Sequence, residues 1–155
     1  MATTSTNKQP LLVDRVFHEI VNTNLAYNQG MDVVGTNSAS LLLNCIGTDG
    51  AIVEYIYAIS RSDATAYNVN LYLSSNNDYL RPTEAFFIGS LSSTTTSKDV
   101  VVLDLPQCLT PTPRVGSDAK NTALYVPSNK ALWVARDGTA DAADAPLVGT
   151  QGGYY

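Results

Sequence analysis

The stretch Lys98–Arg136, KDVVVLDLPQCLTPTPRVGSDAKNTALYVPSNKALWVAR, decides the fold. It spells three apolar strands separated by proline-rich and polar turns. Val100, Val102 and Asp104 alternate with Val101, Leu103 and Leu105. The same period of two returns in Leu124 and Val126 and, beyond the turn Pro127-Ser128-Asn129-Lys130, in Leu132 and Val134. Such a run fits a half-buried pleated surface. It contains nothing that looks like a reaction centre.

Upstream, Leu41–Ile46, the turn Gly47-Thr48-Asp49-Gly50 and Ala51–Ser60 read as a strand pair. Tyr67–Leu73 sets Tyr67, Val69, Leu71 and Leu73 on one face against Asn68, Asn70 and Tyr72 on the other. After the polar turn Ser74–Asp78 comes Ala85–Leu91, with Phe86, Phe87 and Ile88, followed by the hydroxyl-rich loop SSTTTS. Strands every ten to fifteen residues, with no long amphipathic helix between them, predict an all-β fold: an antiparallel β-sandwich, jelly-roll-like in its grammar.

The ends have a different composition. Residues 1–10 are polar and end in a proline, and Leu11–Val21 mixes helical and extended signals, with the extended reading favoured because no capping residue opens a helix. After Arg136 the chain is rich in Asp, Ala and Gly and closes on Gly-Gly-Tyr-Tyr. The expected organisation is an N-terminal arm over 1–22, a sandwich over 23–136 and a C-terminal tail over 137–155, the arm flexible and the tail frayed or docked on its own or a neighbouring domain.

A chain of 155 residues, 45% hydrophobic, can bury one core without metals or disulfides. Its net charge of −5 and nine scattered Lys and Arg argue against a nucleic-acid partner, because phosphate neutralisation needs clustered cations. No run reaches the length of a membrane-spanning helix, and the N-terminus lacks the apolar centre of a secretory signal. Cys45 and Cys108 have neither CxxC nor Cys/His spacing, so no zinc site or redox pair is encoded locally, and a bond between the two is not expected. Charged residues are only 15% of the chain, which points to a neutral surface or to one covered by other subunits.

Sites for chemistry are sparse. His18 is the single histidine, and its neighbour Glu19 would face the opposite way on a strand. There is no nucleophile elbow, zincin motif, phosphate-cradling loop or calcium loop, and the alanines among Asp137, Asp141 and Asp144 offer no further ligands. No catalytic residue, cofactor or metal is therefore expected, and the protein reads as a non-enzyme. Tyr55, Tyr57, Tyr72, Tyr125 and Trp133 would suit a sugar platform, but strand aromatics more often serve core or subunit interface. The candidate interface residues are Tyr125, Trp133, Tyr154, Tyr155 and Arg114.

From Asp49 to Tyr155 the chain resembles small β-sandwich virion proteins of tailed bacteriophages. The resemblance rests on DGAIVEYIYAIS, VNLYLSSNNDYL, EAFFIGSL with its Ser/Thr loop, VVVLDLPQCL, ALYVPSNKALWVA and the terminal Gly152-Gly153-Tyr154-Tyr155. It departs in carrying Ser128-Asn129 where a turn glycine is usual, and in the loop Thr110–Asn121. The resemblance implies a capsid decoration or cement protein, a homotrimer bound to the major capsid protein on the virion surface and assembled in the host cytoplasm. The alternatives it leaves are a head–tail connector, a tail or fibre component, and a carbohydrate- or receptor-binding module.

Overall fold

A computed structural model describes residues 15–23, 26–27, 39–78, 80, 84–103, 111–113, 122–137 and 143–154. They hold β1 (Arg15–Asn22), β2 (Ala26–Tyr27), β3 (Ser40–Asn44), β4 (Gly50–Ile59), β5 (Asn68–Ser74), β6 (Phe86–Ser92), β7 (Val100–Val102), β8 (Pro111–Pro113), β9 (Thr122–Pro127), β10 (Ala131–Asp137) and β11 (Leu147–Tyr154), and no helix beyond a single short turn among the described residues.

Two sheets form. The first runs β1-β11-β4-β9-β8, and β7 also pairs with β4. Its spine is β4: β11 follows one edge from Ala51 to Ile59, while the other edge takes β9 at Gly50–Val53 and β7 at Tyr57–Ile59. The second runs β2-β10-β5-β6, with β3 also on β10. Every pairing is antiparallel except the two-residue contact of β2 with β10.

The alternation of the strands explains why the sheets stack. Val53, Ile56 and Ala58 of β4, Leu124 and Val126 of β9, Val148 of β11 and Phe17 of β1 meet Val69, Leu71 and Leu73 of β5, Ile88 of β6, and Leu132 and Val134 of β10 in one buried cluster. Each such Val, Leu or Ile side chain contributes about 1.5–3 kcal/mol on leaving water. The all-β sandwich expected from the sequence is the observed architecture.

Sequence adjacency misleads at two places. Leu41–Ile46 and Ala51–Ser60 are not paired with each other, and neither are the strands flanking Pro127–Lys130: β3 and β10 belong to the second sheet, β4 and β9 to the first. Both short turns are corners that carry the chain from one sheet to the other. The corners lie side by side. The Cys45 amide donates to the Lys130 carbonyl at 2.9 Å, and the Asn129 amide donates to the Cys45 carbonyl at 3.1 Å. Asn129 takes the left-handed conformation (φ 60°), which asparagine tolerates better than most residues and which stands in for the glycine usual there.

The expected arm and tail both lose residues to the sandwich. Arg15–Asn22 and Leu147–Tyr154 pair with each other along their whole length, and β11 is an interior strand between β1 and β4. Glycines at 149, 152 and 153 lower the intrinsic strand signal of β11, but those at 149 and 152 also let its neighbours approach closely. The N-terminal ten residues and the loop before Thr122, including Arg114, lie outside the described residues apart from β8.

Arg136 locks this closure from within. It shares the inward register of β10 with Leu132 and Val134 and is fully buried, its Nε donating to the Thr23 carbonyl at 3.0 Å and its guanidinium 5.1 Å from the centre of the Tyr67 ring. Thr23 Oγ1 in turn donates to the Pro146 carbonyl at 2.7 Å, so one side chain ties β10 to the end of β1 and the start of β11. Burial pushes the guanidinium pKa down, opposed by the nearby Tyr67.

Candidate interaction face

The register places a definite set of side chains on the outside of the first sheet. Directly opposed residues on paired strands share a face, so four rows cross it. Val16, Gly153, Ile52 and Tyr125 make one row; His18, Gln151 and Tyr55 the next. Ile20, Gly149, Tyr57 and Val102 make the third, and Asn22, Leu147, Ile59 and Val100 the fourth. The face is apolar and open. Of the eight large apolar side chains that are exposed among the described residues, six lie here: Val16 at 80%, Ile20 at 48%, Tyr55 at 52%, Val100 at 53%, Val102 at 56% and Tyr125 at 37%.

Its centre is organised by a glycine. A Cβ on Gly149 would lie 2.2–2.7 Å from three atoms of the Tyr57 ring and hydroxyl, so the ring lies flat across β11 at that point. Stretched over the glycine, the Tyr57 hydroxyl reaches His18 Nε2 on β1 and hydrogen-bonds to it, the two rings 5.9 Å apart and tilted by 53°. Glu19 sits in the opposite register, as its position next to His18 on a strand requires, and the two do not converge. His18 and Tyr57 are therefore a cross-strand clasp on a flat surface. No group of three or more His, Cys, Asp or Glu able to hold a metal occurs among the described residues.

The outer face of the second sheet is handled differently. There Trp133, Tyr72, Ala131 and Ala135 are buried with Leu80 beneath the chain's own residues, and Trp133 Nε1 donates to the Asn76 carbonyl at 2.9 Å. Among the described residues, the chain packs Leu80 and Ala85 against the outer face of the second sheet, while the outer face of the first sheet keeps its large apolar side chains exposed.

This geometry sorts the expected site residues. Tyr125 stands on the open face. Trp133 is only 4% exposed and packs in the covered cluster. Tyr154 turns inward, half-buried, its ring 5.0 Å from that of Phe17 and 4.8 Å from the Arg15 guanidinium, its pKa raised chiefly by burial. Arg114 and Tyr155 lie outside the described residues. The five aromatics considered as one sugar platform are divided, Tyr55, Tyr57 and Tyr125 on one sheet and Tyr72 and Trp133 on the other. Of the acidic trio, Asp137 accepts a 2.7 Å hydrogen bond from Asn70 Nδ2, Asp144 is exposed in a turn, and Asp141 lies outside the described residues. Cys45 is a buried free thiol, its pKa pushed up to about 11 by burial against a smaller opposing effect of Thr48, and Cys108 lies outside the described residues.

Val16, Ile20, Val100 and Val102 do not declare themselves in the sequence as residues of an outer face. Their signal is present as alternation, but where both registers of a strand are apolar, alternation does not say which side faces out. No described helix is long and apolar enough to cross a membrane. In comparisons with known proteins the chain matches no family model, no curated protein and no solved structure.

Proposed function

We propose that this chain is a non-enzymatic structural protein that works by packing against protein neighbours in a larger assembly, a capsid cement or decoration protein of the kind its sequence resembles. The observation that carries this reading is the outer face of the first sheet, where exposed apolar and aromatic side chains are gathered on one flat surface. Monomeric proteins seldom leave such a surface in water, and a flat apolar face rimmed by polar loops is what protein–protein adhesion uses. The low share of charged residues supports the same reading. In this proposal the major capsid protein is the partner, the virion surface is the site of action, and the chain functions as a homo-oligomer without cofactor. The test is to add the purified full chain to capsid shells that lack it. Saturable co-sedimentation and a higher shell melting temperature are expected; shells that stay bare at every concentration overturn the proposal.

A further inference from the structure

We infer that the outer face of the first sheet is where a second copy of this chain docks, sheet on sheet, across a two-fold axis. The inference rests on the reading of the protein as an assembly component and names the neighbour that this face takes.

The amount of surface is the first argument. Two tyrosines of roughly 150–250 Å² each and four smaller aliphatic side chains, weighted by their exposure, present on the order of 400–500 Å² of apolar surface. An ordinary stable interface hides about 800 Å² per partner and is about 65% apolar between identical copies, which calls for roughly 500 Å². The face supplies that amount and is not much larger.

Charge is the second. Two copies each carrying −5 repel, so a self-association face must be the part of the surface where the carboxylates are not. Apart from Glu54, at the bulge between Val53 and Tyr55, no carboxylate belongs to the four outward rows. Shape is the third. Side chains of Val16 and Ile20 on β1 and of Ile52, Tyr55 and Ile59 on β4 flank β11, and the Tyr57 ring lies across it at Gly149. Two stacked sheets pack outward side chains of this kind against each other at a separation of about 10 Å. The competing patch, Phe86 and Phe87 at the start of β6, is confined to one end of an edge strand and is too small for the purpose.

The row His18, Gln151, Tyr55 lies at the middle of the face, so a two-fold axis through it brings Tyr55 near its own copy. This gives a sharp test by light scattering and sedimentation velocity on the full chain over a wide concentration range, with circular dichroism melts to show that each variant is folded. The parent is expected as a dimer of twice the chain mass. Tyr55→Asp, and separately Val16→Glu on the exposed side of β1, should raise the dissociation constant by roughly 100-fold or more. Phe86→Ser on the second sheet should leave it unchanged. Mixing Tyr55→Asp with Tyr55→Lys should restore the dimer as a heterodimer. A parent that stays monomeric, a trimer, an oligomer indifferent to Tyr55→Asp, or a mixture that fails to pair overturns the inference. Shell co-sedimentation reports separately: dimer without shell binding sinks the cement reading alone, and shell binding by a monomer sinks the two-fold face alone.

Discussion

Gly152 and Gly149 lie three residues apart on β11, face opposite ways, and should respond very differently to the same added methyl group. At Gly152 a Cβ would lie 2.0 Å from the Ile52 carbonyl oxygen and 2.9 Å from Phe17 Cζ, against the 3.0 Å below which real Cβ atoms essentially never come. The obstacle is backbone of the central strand, so β11 and β4 must separate by about an ångström at the Gly152–Val53 pair. Overpacking of that kind costs about 1–3 kcal/mol. Loss of one or two ladder hydrogen bonds adds about 0.5–1.5 kcal/mol each, and the stiffer unfolded chain returns about 0.4–1 kcal/mol. Gly152→Ala should therefore lose about 3 kcal/mol. At Gly149 the obstacle is the far end of the Tyr57 side chain, which can swing outward into solvent. The variant forfeits the His18–Tyr57 hydrogen bond, regains a similar amount from the unfolded chain, and should stay within about 1 kcal/mol of the parent. Urea unfolding at one fixed protein concentration reads the difference. With a slope of about 2 kcal/mol per molar, the midpoint should fall by about 1.5 M for Gly152→Ala and by less than about 0.5 M for Gly149→Ala. Equal midpoints for the two variants, or a Gly152→Ala protein as stable as the parent, would refute the packing assigned to the closure of β11 against β4.

Three further outcomes follow from the described geometry. Arg136→Ala should destabilise by about 3–4 kcal/mol, because it empties a fully buried site and strands the Thr23 carbonyl, whereas Arg136→Met, which keeps most of the volume, should recover about half of that in the same urea assay. Stability should decline as pH rises from about 9 toward 11: burial lifts Cys45 from 9.0 to about 11, so over this window the unfolded chain surrenders the thiol proton while the folded one keeps it, and Cys45→Ala should flatten part of the decline in urea midpoints. Asn129→Gly should be neutral or stabilising by up to about 1 kcal/mol and Asn129→Ala destabilising by about 1 kcal/mol, since φ at this corner is 60°; thermal melts should place the Ala variant below the parent and the Gly variant at or above it.

Much of the fold is legible in the chain because the strands of a sandwich declare themselves locally. Val69, Leu71 and Leu73 on β5, or Leu132 and Val134 on β10, carry their burial in their spacing. What the chain does not declare is which strands meet. The turns at 46–49 and 128–130 are short enough for hairpins, yet their backbones turn corners between sheets, and that choice is set by the hydrogen bonds joining the corners to each other, more than eighty residues apart in sequence. The closure of the ends was hidden for a related reason. β11 reads LVGTQGGY, in which glycine suppresses strand propensity, and the compensating partners, β1 and β4, lie far upstream. The open face was the least legible part. Tyr125 could be singled out as an aromatic, but Val16, Ile20, Val100 and Val102 are aliphatic residues of the sort that cores also use, and only the register of five strands sends them to the same side.

The contrast between the two outer faces bears on how such a surface is tolerated. On the second sheet, Leu80 and Ala85 pack with Trp133 and Tyr72, and the Asn76 carbonyl accepts from the Trp133 indole, which removes these two aromatics from water. The first sheet has no equivalent among the described residues, although it is the wider of the two and its outward side chains are as apolar. Leaving it open forgoes burial worth about 25 cal/mol for each square ångström, on the order of 10 kcal/mol for a patch of this size, comparable with the whole stability of a small domain. Under the proposed assembly role, this exposed face is burial deferred to association, which would couple the stability of the fold to its neighbours and make unfolding depend on protein concentration whenever a second copy is the neighbour.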